Sequence, residues 1–175
     1  MPSPTNPYQE LLDEQGVFRQ LFESSNDAIM LLDEKGFFDC NKATLKIFGY
    51  EKKEDFCNKH PSEHSPPKQP DGSDSKESAN ANIEHAKKIG KNFFEWIHRR
   101  ANGNDFPAEV LLTPLTINGK SILQATVRDI TEKKRKEKEL LEMNKYMVGR
   151  EIEMTKLKEK VKELEEELRK HLAKN

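Results

Sequence analysis

The chain has 175 residues, of which 34% are apolar and 35% charged, and its net charge is −1. This composition predicts that part of the chain lies outside a buried core. The sequence also has no long block of one charge sign, so nothing indicates a nucleic-acid groove or an anionic membrane as partner. No apolar run approaches the ~20 residues of a membrane span, no signal peptide is expected at the start, and the two cysteines, Cys40 and Cys57, favour a reducing cytoplasm.

The N-terminal region predicts a tail that leads into a helix. Residues 1–15 are expected to form the tail and the beginning of this flanking helix, and the helical pattern extends from Tyr8 to Ser24. Its apolar residues share one side of the helix: Leu11, Phe18, Leu21 and Phe22.

A hairpin and three helices follow in the pattern. Asn41 is a helix N-cap, and Gly49 and Gly90 end helices. The stretch HPSEHSPPKQPDGSDS at 60–75 is a loop by composition. The predicted elements are strands at 28–32 and 37–40 and helices at 42–48, 53–58 and 76–89.

Three strands, 92–100, 105–115 and 120–130, complete an α+β domain with one five-stranded antiparallel sheet. Alternation assigns their faces, because Glu95 and Arg99 mark the outer side of the first strand. The inner face, which should meet the helix carrying Ile83, Ala86 and Ile89, is apolar apart from one histidine: Phe94, Trp96, His98, Ala108, Val110, Leu112, Leu123, Ala125 and Val127. The outer face keeps Phe93, Ile97, Leu111 and Ile122, which the N-terminal helix or a second protomer should cover.

Residues 132–175 predict a long coiled-coil helix. In a heptad register, eight of the ten a and d positions are apolar, and the residues between them are mostly Lys and Glu. These positions, called the seam below, are Leu140, Met143, Met147, Arg150, Met154, Leu157, Val161, Leu164, Leu168 and His171. At ~1.5 Å per residue the helix is too long to fold back onto a small domain, so the seam needs a partner, most simply a second copy. A single charged helix in solvent is the alternative.

The order of elements, with these residues, resembles a PAS domain. The similar stretches are 22–50, 94–115, 127–131, the loop at 65–72 and the coiled linker at 147–168. The resemblance covers about residues 16–168, with the domain at 16–131. It implies a sensor and dimerisation module, and it makes Asp129, Ile130 and Thr131 the junction to an outgoing signalling helix. The loop at 65–72 is similar to that of a PAS subgroup common in bacterial sensory proteins.

The inner wall suits a small ligand held by few polar points, because Trp96 supplies one N–H and His98 a donor and an acceptor. The alternative is a filled core in which Trp96 supplies bulk and His98 bonds a backbone carbonyl. We therefore expect a ligand-pocket candidate here, without a known ligand.

Cofactor sites of the family match this sequence poorly. Flavin photosensors carry a reactive cysteine in an Asn-Cys-Arg motif, whereas Cys57 precedes Asn-Lys-His. The position of His85 does not fit the haem-ligand position of related sensors, and prolines interrupt the metal-like spacing of Cys57, His60 and His64. No cofactor is the expectation.

The predicted function is a dimeric, non-enzymatic sensory module with a parallel coiled coil. It is expected to relay to an output domain or partner, such as a kinase or cyclase. The chain stops where an output domain would begin, so we expect either a truncated sensor or a stand-alone partner protein. Nucleic acid and a membrane span are not expected. Gly149 and Arg150 mark a weak point of the coil, and no kinase or cyclase motif is present. A purely structural dimeriser with a filled core is the alternative.

Overall fold

The structure, a computed structural model, describes residues 14–57, 59–117 and 119–172. The chain divides into two compact units, one ending at Thr131 and the other beginning at Glu132. The elements are α1 (Glu14–Ser24), β1 (Ala28–Asp33), β2 (Gly36–Cys40), α2 (Lys42–Phe48), α3 (Lys53–Phe56), a 3₁₀ helix (Pro61–His64), α4 (Ser75–Ile89), β3 (Asn92–Arg99), β4 (Asp105–Ile117), β5 (Lys120–Asp129) and α5 (Thr131–Leu172).

The five strands form one antiparallel sheet in the order β2-β1-β5-β4-β3, so the predicted α+β class and sheet are confirmed. Trp96 of β3 lies opposite Ala108 of β4, and Met30 of β1 lies opposite Ala125 of β5. At the β2 end of the sheet, the Phe37 N–H donates to the Lys59 carbonyl, 3.1 Å away. The pairing of β1 with β5 joins residues 28–40 and 92–129, which are distant in sequence, into one continuous sheet.

The inner face of the sheet is the core of the domain. Strand alternation buries the side chains that the sequence assigned to this face, except Phe94, which is partly buried, because α2, α3, the 3₁₀ helix and α4 lie over it. Phe48 of α2 and Phe56 of α3 are fully buried, and their ring centroids are 5.2 Å apart. This aromatic contact closes one end of the core.

The side chain of Asn41 joins three elements and is fully buried. Its Oδ1 caps α2 by accepting from the Thr44 N–H and also accepts from the Ile29 N–H in β1, at 3.0 and 3.1 Å. Its Nδ2 donates to the carbonyls of Phe22 and Asp27, both at 3.0 Å. One amide thus fixes the end of α1, the start of β1 and the start of α2.

Helix α1 covers part of the outer face of the sheet. Phe22 packs there with Leu31 and Ile122 in a second, smaller apolar cluster. Phe93 and Leu111, which are paired across β3 and β4, remain 63% and 36% exposed. The described chain therefore leaves an apolar patch on this face.

The N-terminal prediction is met in part. The described helix starts at Glu14, so residues 8–13, with Leu11, lie outside the described residues, and so does the side chain of Phe18. Leu21 is 66% exposed although the pattern placed it with Phe22. The two lie about 100° apart around the helix, so the sheet covers only Phe22.

The long C-terminal helix is present as α5. Its apolar seam residues, from Leu140 to Leu168, are each more than half exposed, and the side chain of His171 lies outside the described part of the chain. Pairing of two such helices remains a prediction. Among the described residues, none of the helices combines the length and the apolar character needed to cross a bilayer.

Replacing Asn41 by alanine should lower the free energy of unfolding by about 2–4 kcal/mol, because buried backbone donors and acceptors lose their partners. Urea unfolding measures the effect. The control is Asn102→Ala, which removes one hydrogen bond to Asn104 in an exposed turn and should cost less than about 1 kcal/mol. Equal losses in the two variants would contradict the role assigned to Asn41.

Candidate functional site: a cavity on the inner face of the sheet

A small cavity of about 40 Å³ lies between the inner face of the sheet and α4. The only lining side chains that contain nitrogen or oxygen are those of Trp96 and His98. Carbon, with the Met30 sulfur, forms the remaining wall. The lining residues are Met30, Leu32, Phe37, Pro61, Ala79, Ile83, Phe94, Trp96, His98, Val110, Leu112, Ala125 and Val127.

Most of the sequence-predicted pocket residues line this cavity. Ala108 and Leu123 are buried in the same core but are not among the lining residues. Ile89 is a correction, because it is 61% exposed. It lies roughly 90° around α4 from the side that carries Ala79, Ile83 and Ala86, and α4 ends there at Gly90.

Five residues of the wall were not predicted. They are Met30 and Leu32 of β1, Phe37 of β2, Pro61 of the 3₁₀ helix and Ala79 of α4. The spacing of Met30 and Leu32 is the alternation of a strand with one face in the core, and this signal was available. Nothing in the local composition of Pro61 indicates that it lies beside a cavity.

The loop after the 3₁₀ helix supplies hydrogen-bond partners to β3. The Trp96 Nε1–H donates to the Ser65 Oγ at 2.9 Å. The Gln69 Oε1 accepts from the Ile97 N–H at 2.9 Å, and the Gln69 Nε2 donates to the Ile97 carbonyl at 3.3 Å. The single N–H of Trp96 is therefore already used by the protein.

His98 is buried and has one satisfied nitrogen. Its Nδ1 lies 3.2 Å from the His64 carbonyl, which can only accept, so the Nδ1 carries the proton. Burial lowers the pKa of His98 to about 3, and the ring is neutral. The Nε2 is then a lone-pair acceptor, and it has no hydrogen-bond partner among the described residues.

His64 is a second buried, neutral histidine. It stacks on Phe56 with ring centroids 4.2 Å apart. Its Nε2 donates to the Phe56 carbonyl at 3.1 Å, and its Nδ1 lies 3.3 Å from the Tyr50 hydroxyl. Burial lowers the pKa of His64 to about 4. Both of its ring nitrogens are hydrogen-bonded within the protein, and its backbone carbonyl accepts the hydrogen bond that orients His98.

The geometry disfavours the other cofactor sites considered from sequence. His85 is exposed on α4, whose contribution to the cavity wall is Ala79 and Ile83. Both ring nitrogens of His60 are bonded, to Ser62 and Asn80. Burial raises the pKa of Cys57, which keeps it a thiol. Within the described ranges, no group of three or more His, Cys, Asp or Glu residues is arranged to hold a metal ion.

Residues 26–132 match a family model described as a PAS domain. The chain belongs to the PAS domain family. This PAS domain has the fold of several solved relatives at low sequence identity, and no curated protein sequence matches it.

Three solved structures illustrate the similarity of the fold. A PAS domain from a two-component sensor histidine kinase has 20% identity and a TM-score of 0.55, covering 69% of this chain and 99% of that one. A PAS domain from Colwellia psychrerythraea has 21% identity and a TM-score of 0.58, with 69% and 99% covered. The PAS domain of a LuxR-family transcriptional regulator from Burkholderia thailandensis, in complex with ethanol, has 19% identity and a TM-score of 0.51, with 65% and 96% covered.

The PAS domain ends in a charged junction at the start of α5. The Arg100 guanidinium lies 3.9 Å from the Phe106 ring centroid, bonds the Ile47 carbonyl and pairs with Asp129 at 2.5 Å. Burial would raise the pKa of Asp129, but hydrogen bonds from Thr131 and Arg100 lower it below its usual value.

The junction is also fixed through its backbone. The Asp129 Oδ1 accepts from both the N–H and the hydroxyl of Thr131, at 2.8 and 2.6 Å. The N–H of Ile130, which is 2% exposed, donates to the Pro107 carbonyl at 3.0 Å. The three junction residues are thus held by β4 and by the turn after β3.

Stability of the PAS domain should fall as the pH drops from 6.5 towards 4.5. Both buried histidines have folded pKa values below the ordinary 6.5, so the unfolded chain binds more protons in this window. Each histidine should contribute a slope of up to about 1.4 kcal/mol per pH unit. Asp39 and Asp129, whose pKa values are lowered from 3.8, lose their contribution only at lower pH.

Urea unfolding of the wild type, His98→Leu and the control His85→Leu between pH 7 and pH 4.5 checks this. His98→Leu should have the shallower pH dependence, and His85→Leu should match the wild type. A His98→Leu profile parallel to that of the wild type would show that the burial of His98 does not control acid sensitivity.

Proposed function

We propose that this PAS domain is the input module of a sensory signal-transduction protein, that it acts as a homodimer and that it is not an enzyme. It senses a small molecule or a partner, and α5 carries the signal to an output domain or a partner protein such as a kinase or cyclase. PAS domains of sensor histidine kinases have this fold, which supports the proposal. A cytoplasmic location fits the two free cysteines.

The observation that carries the proposal is the exposed seam of α5. Eight apolar seam residues, spaced as heptad a and d positions, are each more than half exposed in the single chain. Two copies bury such a row by packing knobs into holes, and hydrophobic burial then stabilises the pair. We favour parallel helices, because both copies leave their domains through the same junction.

The outer face of the sheet gives further support to a second copy. Phe93 and Leu111 form an exposed apolar pair that no described residue covers fully. Large exposed apolar patches on soluble domains are typical of interaction surfaces. In the proposed dimer, this patch and the seam are both buried between copies.

The relay follows a series of contacts from the cavity to α5. His98 lines the cavity and lies 5.7 Å from Phe106, measured between ring centroids. The Phe106 ring lies under the Arg100 guanidinium, and Arg100 pairs with Asp129. A ligand that displaces the His98 ring would therefore act on Phe106, and through Arg100 on the hydrogen bonds at the start of α5.

The small cavity volume favours a second candidate, a purely structural dimeriser with a filled core. Mass spectrometry of denatured, freshly purified protein, together with a visible absorption spectrum, separates the two. A co-purifying small molecule supports sensing, since a filled core has no place for one. A haem or flavin band in the absorption spectrum would contradict the expectation that no cofactor is bound.

Sedimentation of the full chain at micromolar concentration tests the dimer. We expect the wild type to be dimeric and Leu157→Lys/Leu164→Lys to be monomeric, because buried lysines in the seam are unpaired. The matched control is Ile152→Lys, at an equally exposed apolar position outside the seam. A wild type that sediments as single chains would rule out the homodimer and the role of α5.

The proposed coil has a weak point at Gly149 and Arg150. Glycine inside a helix costs about 1 kcal/mol relative to alanine, and Arg150 places a charge in the seam. Gly149→Ala/Arg150→Leu should therefore raise the melting temperature of the dimer by several degrees. An unchanged melting curve, followed by circular dichroism at 222 nm, would show that these residues do not limit the stability of the coil.

A further inference from the structure

Charged residues lie on both sides of the seam in the C-terminal part of α5. In the heptad register of the seam they occupy e and g positions, which border the a and d positions. They are Glu151, Lys158 and Glu165 at e positions, and Glu153 and Lys160 at g positions. Each of them is exposed in the single chain. These side chains are therefore accessible to a second helix that packs on the seam.

The single chain gives these charges few partners. Within the described part of α5, no ion pair involves Glu153, Lys158 or Glu165. Lys160 lies 3.1 Å from Glu163 in an ion pair whose two side chains are exposed. Such a pair contributes little to stability, so Lys160 can exchange it for a carboxylate of another helix.

We propose that these charges make a second copy of this chain the partner of α5 and hold the two helices in register. In a parallel pair, a g residue faces the e residue of the following heptad in the other helix. Glu153 then faces Lys158 of the second copy, and Lys160 faces Glu165 of the second copy. Because the pair is symmetric, each of these opposite-charge contacts occurs twice. This inference rests on the proposed homodimer and names the residues that align it.

A shift of one helix by one heptad removes these contacts and brings like charges together. Glu153 of one helix then faces Glu165 of the other, and the second Glu153 faces Glu151. Lys160 of one helix faces Lys158 of the other. The shift also leaves apolar seam residues at the two ends of the pair in water. The charge pattern thus disfavours sliding of the helices.

One layer of the seam opposes the in-register alignment. The two Arg150 side chains meet at the same d position when the helices are in register, and the shift would separate them. The shift would relieve this one layer but would create three contacts of like charge and lose the opposite-charge contacts. The in-register pair is therefore favoured, and the segment from Glu151 to Glu165 provides the alignment.

An antiparallel pair would combine the same charges differently. In a fully overlapped antiparallel pair, g positions face g positions, so Glu153 would face Lys160 of the second copy instead of Lys158. The parallel pair is favoured because both copies leave their domains through the same junction. The two orientations give opposite results for substitutions at these three residues.

Charge reversal in the full chain tests the alignment, with sedimentation equilibrium at low ionic strength as the measurement. Glu153→Lys and Lys158→Glu should each raise the dimer dissociation constant about tenfold, because two attractive contacts become repulsive. The double variant Glu153→Lys/Lys158→Glu should return to within about threefold of the wild type. Within one helix the two residues lie roughly 140° apart and do not touch, so this recovery reports a contact with the second copy.

The matched control is Glu153→Lys/Lys160→Glu, which has the same net charge. In the parallel register it breaks both kinds of contact, so its dissociation constant should rise about a hundredfold. In about 1 M salt the differences among the variants should nearly vanish, because ions screen exposed charges. Recovery in this control but not in Glu153→Lys/Lys158→Glu would indicate antiparallel helices and overturn the proposal. Equal weakening in the two double variants would overturn it as well.

The same measurements separate this inference from the proposed function. A wild type that sediments as single chains would contradict the homodimer and the alignment together. A stable wild-type dimer whose affinity does not change in Glu153→Lys would overturn the alignment and leave the homodimer intact.

Discussion

The hydrogen bond from His98 to the carbonyl of His64 is the constraint on which the site depends. Strand β3 must place every second side chain in the core, and one of them is an imidazole with two nitrogens to satisfy. The carbonyl of His64, the last residue of the 3₁₀ helix, satisfies one nitrogen and thereby fixes the tautomer. The same hydrogen bond docks the 3₁₀ helix onto the sheet, so one contact sets both the position of this helix and the tautomer of His98.

Much of the fold follows from local signals that tertiary packing did not override. Alternation in β4 and β5 identified the buried set, because every second side chain of these strands faces the helices that cover the inner side of the sheet. The side chain of Asn41 caps α2, and Gly49 and Gly90 end α2 and α4 with positive φ angles, as expected for these residue types. These signals act within a few residues, and sequence alone is sufficient to locate them.

The hydrogen bonds of the site were harder to predict from the sequence, because the residues that they join are distant along the chain. Ser65 and Gln69 lie in a stretch that reads as solvent-exposed loop, yet they are buried against β3, about thirty residues further on. Their composition is that of any turn. The one available signal was indirect: Trp96 and His98, once assigned to the core, need hydrogen-bond partners, and a polar loop that crosses the sheet is the nearest source. The prediction for Ile89 was wrong for a different reason. An apolar residue at the end of a helix need not lie on the buried side of that helix.

Strand β3 ends the sheet, and Gln69 lies beside its free edge. The side-chain amide exchanges with Ile97 the same two hydrogen bonds that a residue of a sixth strand would make. Another molecule that tried to extend the sheet at this point would first have to break both. Exposed edges are where folded β proteins begin to form fibrils, and natural sequences cover them in various ways. In this chain Gln69, the residue that covers the edge, follows closely after the 3₁₀ helix whose last carbonyl orients His98. One short segment therefore both protects the edge against amyloid-like growth and shapes the wall of the cavity.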